Sequence, residues 1–286
     1  MTANRESAMM VVGHGTTSQE GVSQFERLIE IVRQRVDIRV GHGFIEFAKP
    51  DIATGISKLL ASNDISNVIV LPLLLLAAGH VKNDLPSAIA AARMEFPRVT
   101  FSYARDLSIT PELMEIVEQR ANDPFEVTPD AVPHNDHPSF TLCVGRGSND
   151  PDANSDLFKI ARLLSERGKL GEVVPAFISL AKPGVPDALE RLKRLGARDI
   201  TVAPYFLFTG SLLERIYSQC RSWSANNPGI SLRLAMEMGP DPSIAELLIQ
   251  RAEETGQIAH FQNCDTCIYR SGPTRHQHTF ALPKAP

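Results

Sequence analysis

His14 stands between Gly13 and Gly15, directly after an apolar run. Such a run closed by glycine reads as a buried strand ending in a tight turn. The flanking glycines let a ligand approach the backbone closely. Glu46, after Gly43-Phe44-Ile45, and His80, after the stretch 72–79, stand at two further expected strand ends. In an open parallel sheet, ligands bind beyond the carboxyl ends of the strands. Two imidazoles and a carboxylate converging there suit a divalent first-row metal such as cobalt, nickel, iron or zinc. The same trio could also do acid–base work as part of a hydrolytic dyad. No serine or cysteine carries a nucleophile-elbow motif, although Thr16 and Thr17 follow His14.

The elements that must position these residues follow from periodicity. Segments 9–13, 40–46, 67–74 and 99–103 read as strands, and 18–36, 50–62, 81–96 and 110–121 as helices. Phe25, Leu28, Ile29 and Val32 give the first helix one apolar face. Pro50 is expected to open the second helix. This alternation predicts an α/β fold with a parallel sheet flanked by helices. Residues 122–138, with four prolines and the pair His134 and His137, break the pattern and read as a linker.

The pattern then starts again. Val144-Gly145-Arg146-Gly147 restates Val12-Gly13-His14-Gly15. Phe177-Ile178-Ser179-Leu180-Ala181-Lys182-Pro183 restates Phe44-Ile45-Glu46-Phe47-Ala48-Lys49-Pro50. Pro204 answers Pro72, so each motif recurs 132 or 133 residues later. Constant spacing over three motifs marks an internal duplication. The expected organisation is residues 1–123 as one α/β half of about four strands, 124–137 as a linker, 138–258 as a degenerate second half, and 259–286 as a tail. Two such units side by side leave a cleft between them.

The duplication separates framework from chemistry. His14 becomes Arg146, Glu46 becomes Ser179, and His80 has no counterpart after Thr209-Gly210. A purely structural role would persist with its framework. The joint loss of all three points to one site, kept by the first half alone.

Composition excludes several other roles. The 286 residues are 43% hydrophobic and 22% charged, which is globular. A net charge of −4 argues against nucleic-acid binding. No apolar run reaches membrane-span length, and the first residues lack the apolar core of a signal peptide, so the expected compartment is the cytoplasm.

These motifs, together with Pro72-Leu73-Leu74-Leu75-Leu76-Ala77-Ala78-Gly79-His80-Val81-Lys82-Asn83-Asp84-Leu85-Pro86 and Arg146-Gly147-Ser148-Asn149-Asp150-Pro151-Asp152-Ala153-Asn154-Ser155-Asp156, carry a resemblance over nearly the whole chain. The sequence resembles the class II tetrapyrrole chelatases, nearest to their long sirohydrochlorin cobaltochelatase form. The resemblance implies Co²⁺ as substrate metal, inserted into sirohydrochlorin with release of two protons, on the anaerobic route to cobalamin. It implies that His14 and His80 bind the metal and that Glu46 assists. Insertion of iron to give siroheme is the nearest alternative, and a metal-binding or delivery protein without turnover is a second. Peripheral ring carboxylates would meet helix N-termini and cations such as Lys49, Lys82, Arg146 and Lys182. Since the second half has lost the metal set, Arg146 and Ser179, with Lys82, are the candidate substrate-binding residues.

The tail holds Cys264 and Cys267 as a Cys-x-x-Cys, followed by His276 and His278. Two thiolates at this spacing can share a metal or cluster. The resemblance implies an iron–sulfur cluster there. A four-iron cluster takes four ligands, so a second subunit supplying the other pair would make the protein a homodimer. Zinc, a redox dithiol or no ligand are the alternatives. Cys143 and Cys220 fall in a predicted core strand and helix and are not candidate ligands.

Overall fold

The structure is a computed structural model and describes residues 7–62, 64–76, 79, 83–128 and 139–255. In the first half, β1 (Ser7–Gly13), α1 (Gln19–Arg33), β2 (Arg39–Phe44), α2 (Ile52–Leu59), β3 (Asn67–Leu73), α3 (Leu85–Glu95) and β4 (Thr100–Tyr103) alternate as expected. The strands form a parallel sheet in the order β2-β1-β3-β4. Val12 faces Gly43 on one side and Pro72 on the other. The order reverses between β1 and β3, which opens a crevice beyond the end of β1. His14 follows β1 at that point.

After α4 (Pro111–Asn122), the second half repeats the plan with β6 (Phe140–Gly145), α5 (Pro151–Arg167), β7 (Glu172–Phe177), α6 (Val185–Arg194), β8 (Asp199–Pro204), α7 (Ser211–Ala225), β9 (Ser231–Leu234) and α8 (Pro242–Glu254). Its sheet runs β5-β9-β8-β6-β7, where β5 is Glu126–Val127, antiparallel to β9. The segment read as linker therefore contributes an edge strand. Two residues among prolines carry too little periodicity to announce one. The second helix also begins later than expected. Asp51, not Pro50, marks its start, and the Asp51 carboxylate accepts the Thr54 N–H at 2.9 Å.

Burial on both faces explains the unbroken apolar strands. Along β1, Ala8, Met10 and Val12 pack under α2 and α3, while Met9 and Val11 join the opposite core. That second core is common to both halves. It gathers Met9, Val11, Leu71 and Leu73 from the first sheet with Cys143, Ala203 and Tyr205 from the second. Between them lie Phe25, Leu28, Ile29, Leu113, Ile160 and Leu248. The terminal helices are exchanged. α8 packs against α1 and β3 of the first half, and α4 packs against β8 of the second.

Polar bridges lock the exchange. Arg251 of α8, 2% exposed, donates to the carbonyls of Asp106 and Leu107 and pairs with Glu254 at 3.0 Å. Arg120 of α4 donates to the carbonyls of Glu237 and Met238 and pairs with Asp241 at 3.3 Å. Gln24 of α1 donates to Glu237 Oε1 at 2.6 Å and accepts the Thr209 N–H at 2.7 Å. Glu118 of α4 is buried and pairs with Arg167 and with Lys169, the latter at 2.8 Å.

The Arg167 guanidinium holds the Glu118 carboxyl below its ordinary value of 4.5. A lowered carboxyl stabilises the fold above that value, and the contribution is lost as pH falls through the folded value. Glu118→Gln is therefore expected to cost about 1–3 kcal/mol at neutral pH. The gap to the unaltered protein should narrow below pH 4.5. Thermal unfolding followed by circular dichroism at both pH values checks this.

Candidate functional site

Backbone contacts place the site. Beyond β2 the chain folds back over the end of β1. The Ile45 N–H bonds to the Gly13 carbonyl and the Glu46 N–H to the His14 carbonyl, both at 3.0 Å. Gly15 has φ +94°, and a Cβ there would collide with the Glu46 carbonyl oxygen. Only glycine fits such an approach in the left-handed region. The second half repeats the device. The Ile178 N–H bonds to the Gly145 carbonyl, the Ser179 N–H bonds to the Arg146 carbonyl, and Gly147 has φ +84° against the Ser179 carbonyl.

These loops bring His14 and Glu46 together, with His14 Nε2 3.2 Å from Glu46 Oε1. Both side chains are partly exposed, at 24% and 37%. Arg146, the residue that replaces His14 in the repeat, reaches across and lies with Nη1 3.0 Å from the same Nε2. A guanidinium has no acceptor, so Nε2 accepts. In the tautomer with its proton on Nδ1, the ring donates to the Gly15 carbonyl at 3.1 Å and Nε2 accepts from Arg146. Nε2 and the carboxylate present two electron-pair donors at one point.

His14 from the first half and Arg146 from the second line a cleft of about 850 Å³ that both halves build. That volume suits a sizeable ligand. Its walls are largely apolar, with Leu73–Leu76 from the first half answered by Phe206, Leu207 and Phe208 from the second. Ser148, Asn149 and Asn154 supply polar edges. Asn154 ties this loop by accepting the Ser148 N–H and donating to its carbonyl, at 2.9 and 2.8 Å.

Two residues that sequence reasoning missed stand at the rim. Phe47 and Leu180 occupy equivalent places in the repeat, at φ 64° and 55°, and are 62% and 61% exposed. Both line the cleft. Large apolar side chains held in left-handed backbone and left in water mark a contact surface. The Phe47 ring stacks near the His14 imidazole, centroids 6.0 Å apart. The available signal was an apolar residue kept in both halves beside a position whose chemistry changed.

Other candidates are placed apart. Lys49 and Lys182 do not line the cleft and pair locally with Asp51 and Asp187, at 2.6 and 3.5 Å. Ser179 contributes its backbone N–H to the Arg146 turn. Cys143 and Cys220 are fully buried, and burial pushes both thiols up to about 12, so neither supplies a thiolate. Among the described residues, no group of three His, Cys, Asp or Glu side chains could hold a metal ion. His80, Lys82, Cys264 and Cys267 lie outside the described residues. No described helix is long and apolar enough to cross a membrane.

Fold and site define a class: a duplicated α/β protein with a histidine, paired to a carboxylate, at a cleft made by both halves. The chain belongs to the CbiX family, whose pattern matches residues 8–124 and again 141–255. It is 35% identical to the sirohydrochlorin cobaltochelatase of Priestia megaterium, over 94% of this chain and 86% of that protein. It is 29% identical to the sirohydrochlorin ferrochelatase of Bacillus subtilis, over 87% and 92%. Among solved structures, SirB from Bacillus subtilis with Fe³⁺ superposes with a TM-score of 0.73 at 28% identity, over 87% of this chain and 95% of that one. The same enzyme from subspecies spizizenii, in complex with cobalt, gives 0.70 at 27% identity, over 87% and 94%.

Gly15→Ala is expected to destabilise the protein more than Gly168→Ala. Both glycines are left-handed, but Gly168 has open space around it. The left-handed backbone alone costs about 1 kcal/mol or more, and the Glu46 collision adds to it at residue 15 only. Unfolding midpoints of the two variants give the comparison.

Proposed function

We propose that this chain is a sirohydrochlorin chelatase of the cytoplasm, with cobalt the preferred ion. The observation that carries the reading is the 3.2 Å separation of His14 Nε2, which lines the apolar cleft, from Glu46 Oε1. Neighbouring ligands on one ion, with bonds of about 2.1 Å, stand about 3 Å apart. In this reading His14 and His80 hold the metal and Glu46 assists. A neutral imidazole can hold a divalent ion and then release it without separating opposite charges. The apolar walls take the faces of the macrocycle and strip water from the ion beside them. As the metal enters the ring, two pyrrole N–H protons leave, one accepted by Glu46 and the other by solvent water. Arg146 and Lys82 serve the ring's carboxylates, with Ser179 holding the Arg146 turn, and Phe47 and Leu180 meet its apolar surface.

Iron is the second reading, supported by the ferrochelatase relatives. Nitrogen and oxygen ligands do not separate cobalt from iron, because geometry and metal supply decide. Simple metal delivery, by contrast, needs no cleft of this size. The Cys264 and Cys267 pair takes no part in the insertion step; an iron–sulfur cluster held there, shared with a second subunit, would serve redox sensing or subunit association instead.

The deciding assay follows the absorbance of sirohydrochlorin with the purified protein and Co²⁺, Fe²⁺ or Ni²⁺. His14→Ala and His80→Ala are each expected to slow insertion by more than about 100-fold while the protein stays folded. Near-normal turnover of both at saturating metal would overturn the assignment. Removing residues 261–286 should leave the initial rate unchanged, since every proposed insertion residue precedes the tail. A truncated protein that folds and binds sirohydrochlorin yet inserts no cobalt would place the tail in the chemistry.

A further inference from the structure

The contact between the two halves at His14 assigns Arg146 a role beyond holding the ring. The lone pair on His14 Nε2 is the one a metal ion would use, and the Arg146 guanidinium occupies it at 3.0 Å. Glu46 Oε1 lies 3.2 Å from the same atom, so one ion could reach both ligands, and the guanidinium holds the imidazole member of the pair. We propose that Arg146 is a stand-in for the metal: it closes the ion site in the empty cleft and leaves when an anionic ligand draws it away. The inference rests on the reading of His14 as a metal ligand and names what regulates access to it.

The physical argument has three parts. A guanidinium and a divalent ion cannot share one lone pair, so each must exclude the other. A carboxylate is the better partner for a guanidinium, because charge-assisted, two-pronged hydrogen bonds are stronger than a single bond to a neutral imidazole. Arg146 is exposed and lines the cleft beside Ser148 and Asn149, within reach of an incoming polycarboxylate macrocycle. Binding of such a ring would therefore pull Arg146 off His14 and open the metal position in the same movement. The order that follows is ring first, metal second. The empty protein would hold divalent ions weakly, and the filled one would take an ion only where a ring waits to receive it. The second half, having lost its own imidazole at this position, gains control over that of the first.

The test is Co²⁺ binding by titration calorimetry to the full chain without macrocycle, comparing the unaltered protein with Arg146→Ala, His14→Ala and the double variant. Arg146→Ala is expected to bind Co²⁺ about 10-fold more tightly, equal to about 1.4 kcal/mol, and the gain should vanish in the double variant. The gain should also persist at about 0.5 M salt, because relief of direct occupation is not screened whereas removal of a distant positive charge is. Equal affinities for the unaltered protein and Arg146→Ala, both reduced by His14→Ala, would overturn the stand-in role while leaving His14 as a ligand. A gain lost at high salt would overturn it likewise. Binding that no His14 substitution affects would overturn both the stand-in role and the site itself. Unfolding midpoints of the variants establish that each is folded.

Discussion

The shared apolar core is the constraint on which the rest of this molecule depends. Neither sheet covers its own inner face. Leu71 and Leu73 of the first sheet and Ala203 and Tyr205 of the second are buried in one continuous cluster. Burial of this kind is the main favourable term in folding. Because the same side chains stabilise both halves, the distance between the two sets of strand ends is fixed by packing, and the cleft above them is a product of that packing. Buried polar groups confirm the tight register. Gln24, for example, reaches across to Glu237 and the Thr209 amide, and a Cβ on Gly21 would collide with the Thr209 carbonyl. A dense core resists continuous deformation. The cleft is thus largely preformed, and movement on binding falls to side chains at its rim.

On this rigid base the duplication works as an asymmetric device. The turns that carry His14 and Arg146 have the same hydrogen bonds and the same left-handed glycine. Different side chains on equivalent backbones meet across the cleft, and one of them caps the other. Phe47 and Leu180, also equivalent, put apolar surface on both sides. At this point the first half therefore presents electron-pair donors and the second a cation.

Much of this was legible in the sequence. The strand ends, the repeat and the joint loss of three ionisable residues located His14 and Glu46, because apolar runs and glycine turns are local signals. Three features were not legible. Periodicity shows that α8 has an apolar face but not that Leu247 and Leu248 meet the other half, since which sheet a helix covers is a matter of long-range packing. The positive φ of Phe47 and Leu180 has no local signature, as neither residue favours that region. Arg146 was readable as a candidate cation, but its hydrogen bond to His14 spans 132 residues and depends on the core that fixes the two turns against each other. The strand at Glu126–Val127 was hidden for the reason that hides most edge pieces: it is defined by its partner, β9, rather than by its own pattern.

The exchanged helices have a consequence for how the protein is made. The face of the first sheet beneath α8 is closed by residues 242–254, although the strands of that sheet are complete by Tyr103. A ribosome adds residues one at a time, at about 5–20 per second. For many seconds the nascent chain therefore holds four strands whose inner surface α1 covers only in part. The first sheet gains its full cover only when α8 leaves the exit tunnel. Until then the newborn chain is a natural client for whatever shields unfinished apolar surface in the cell.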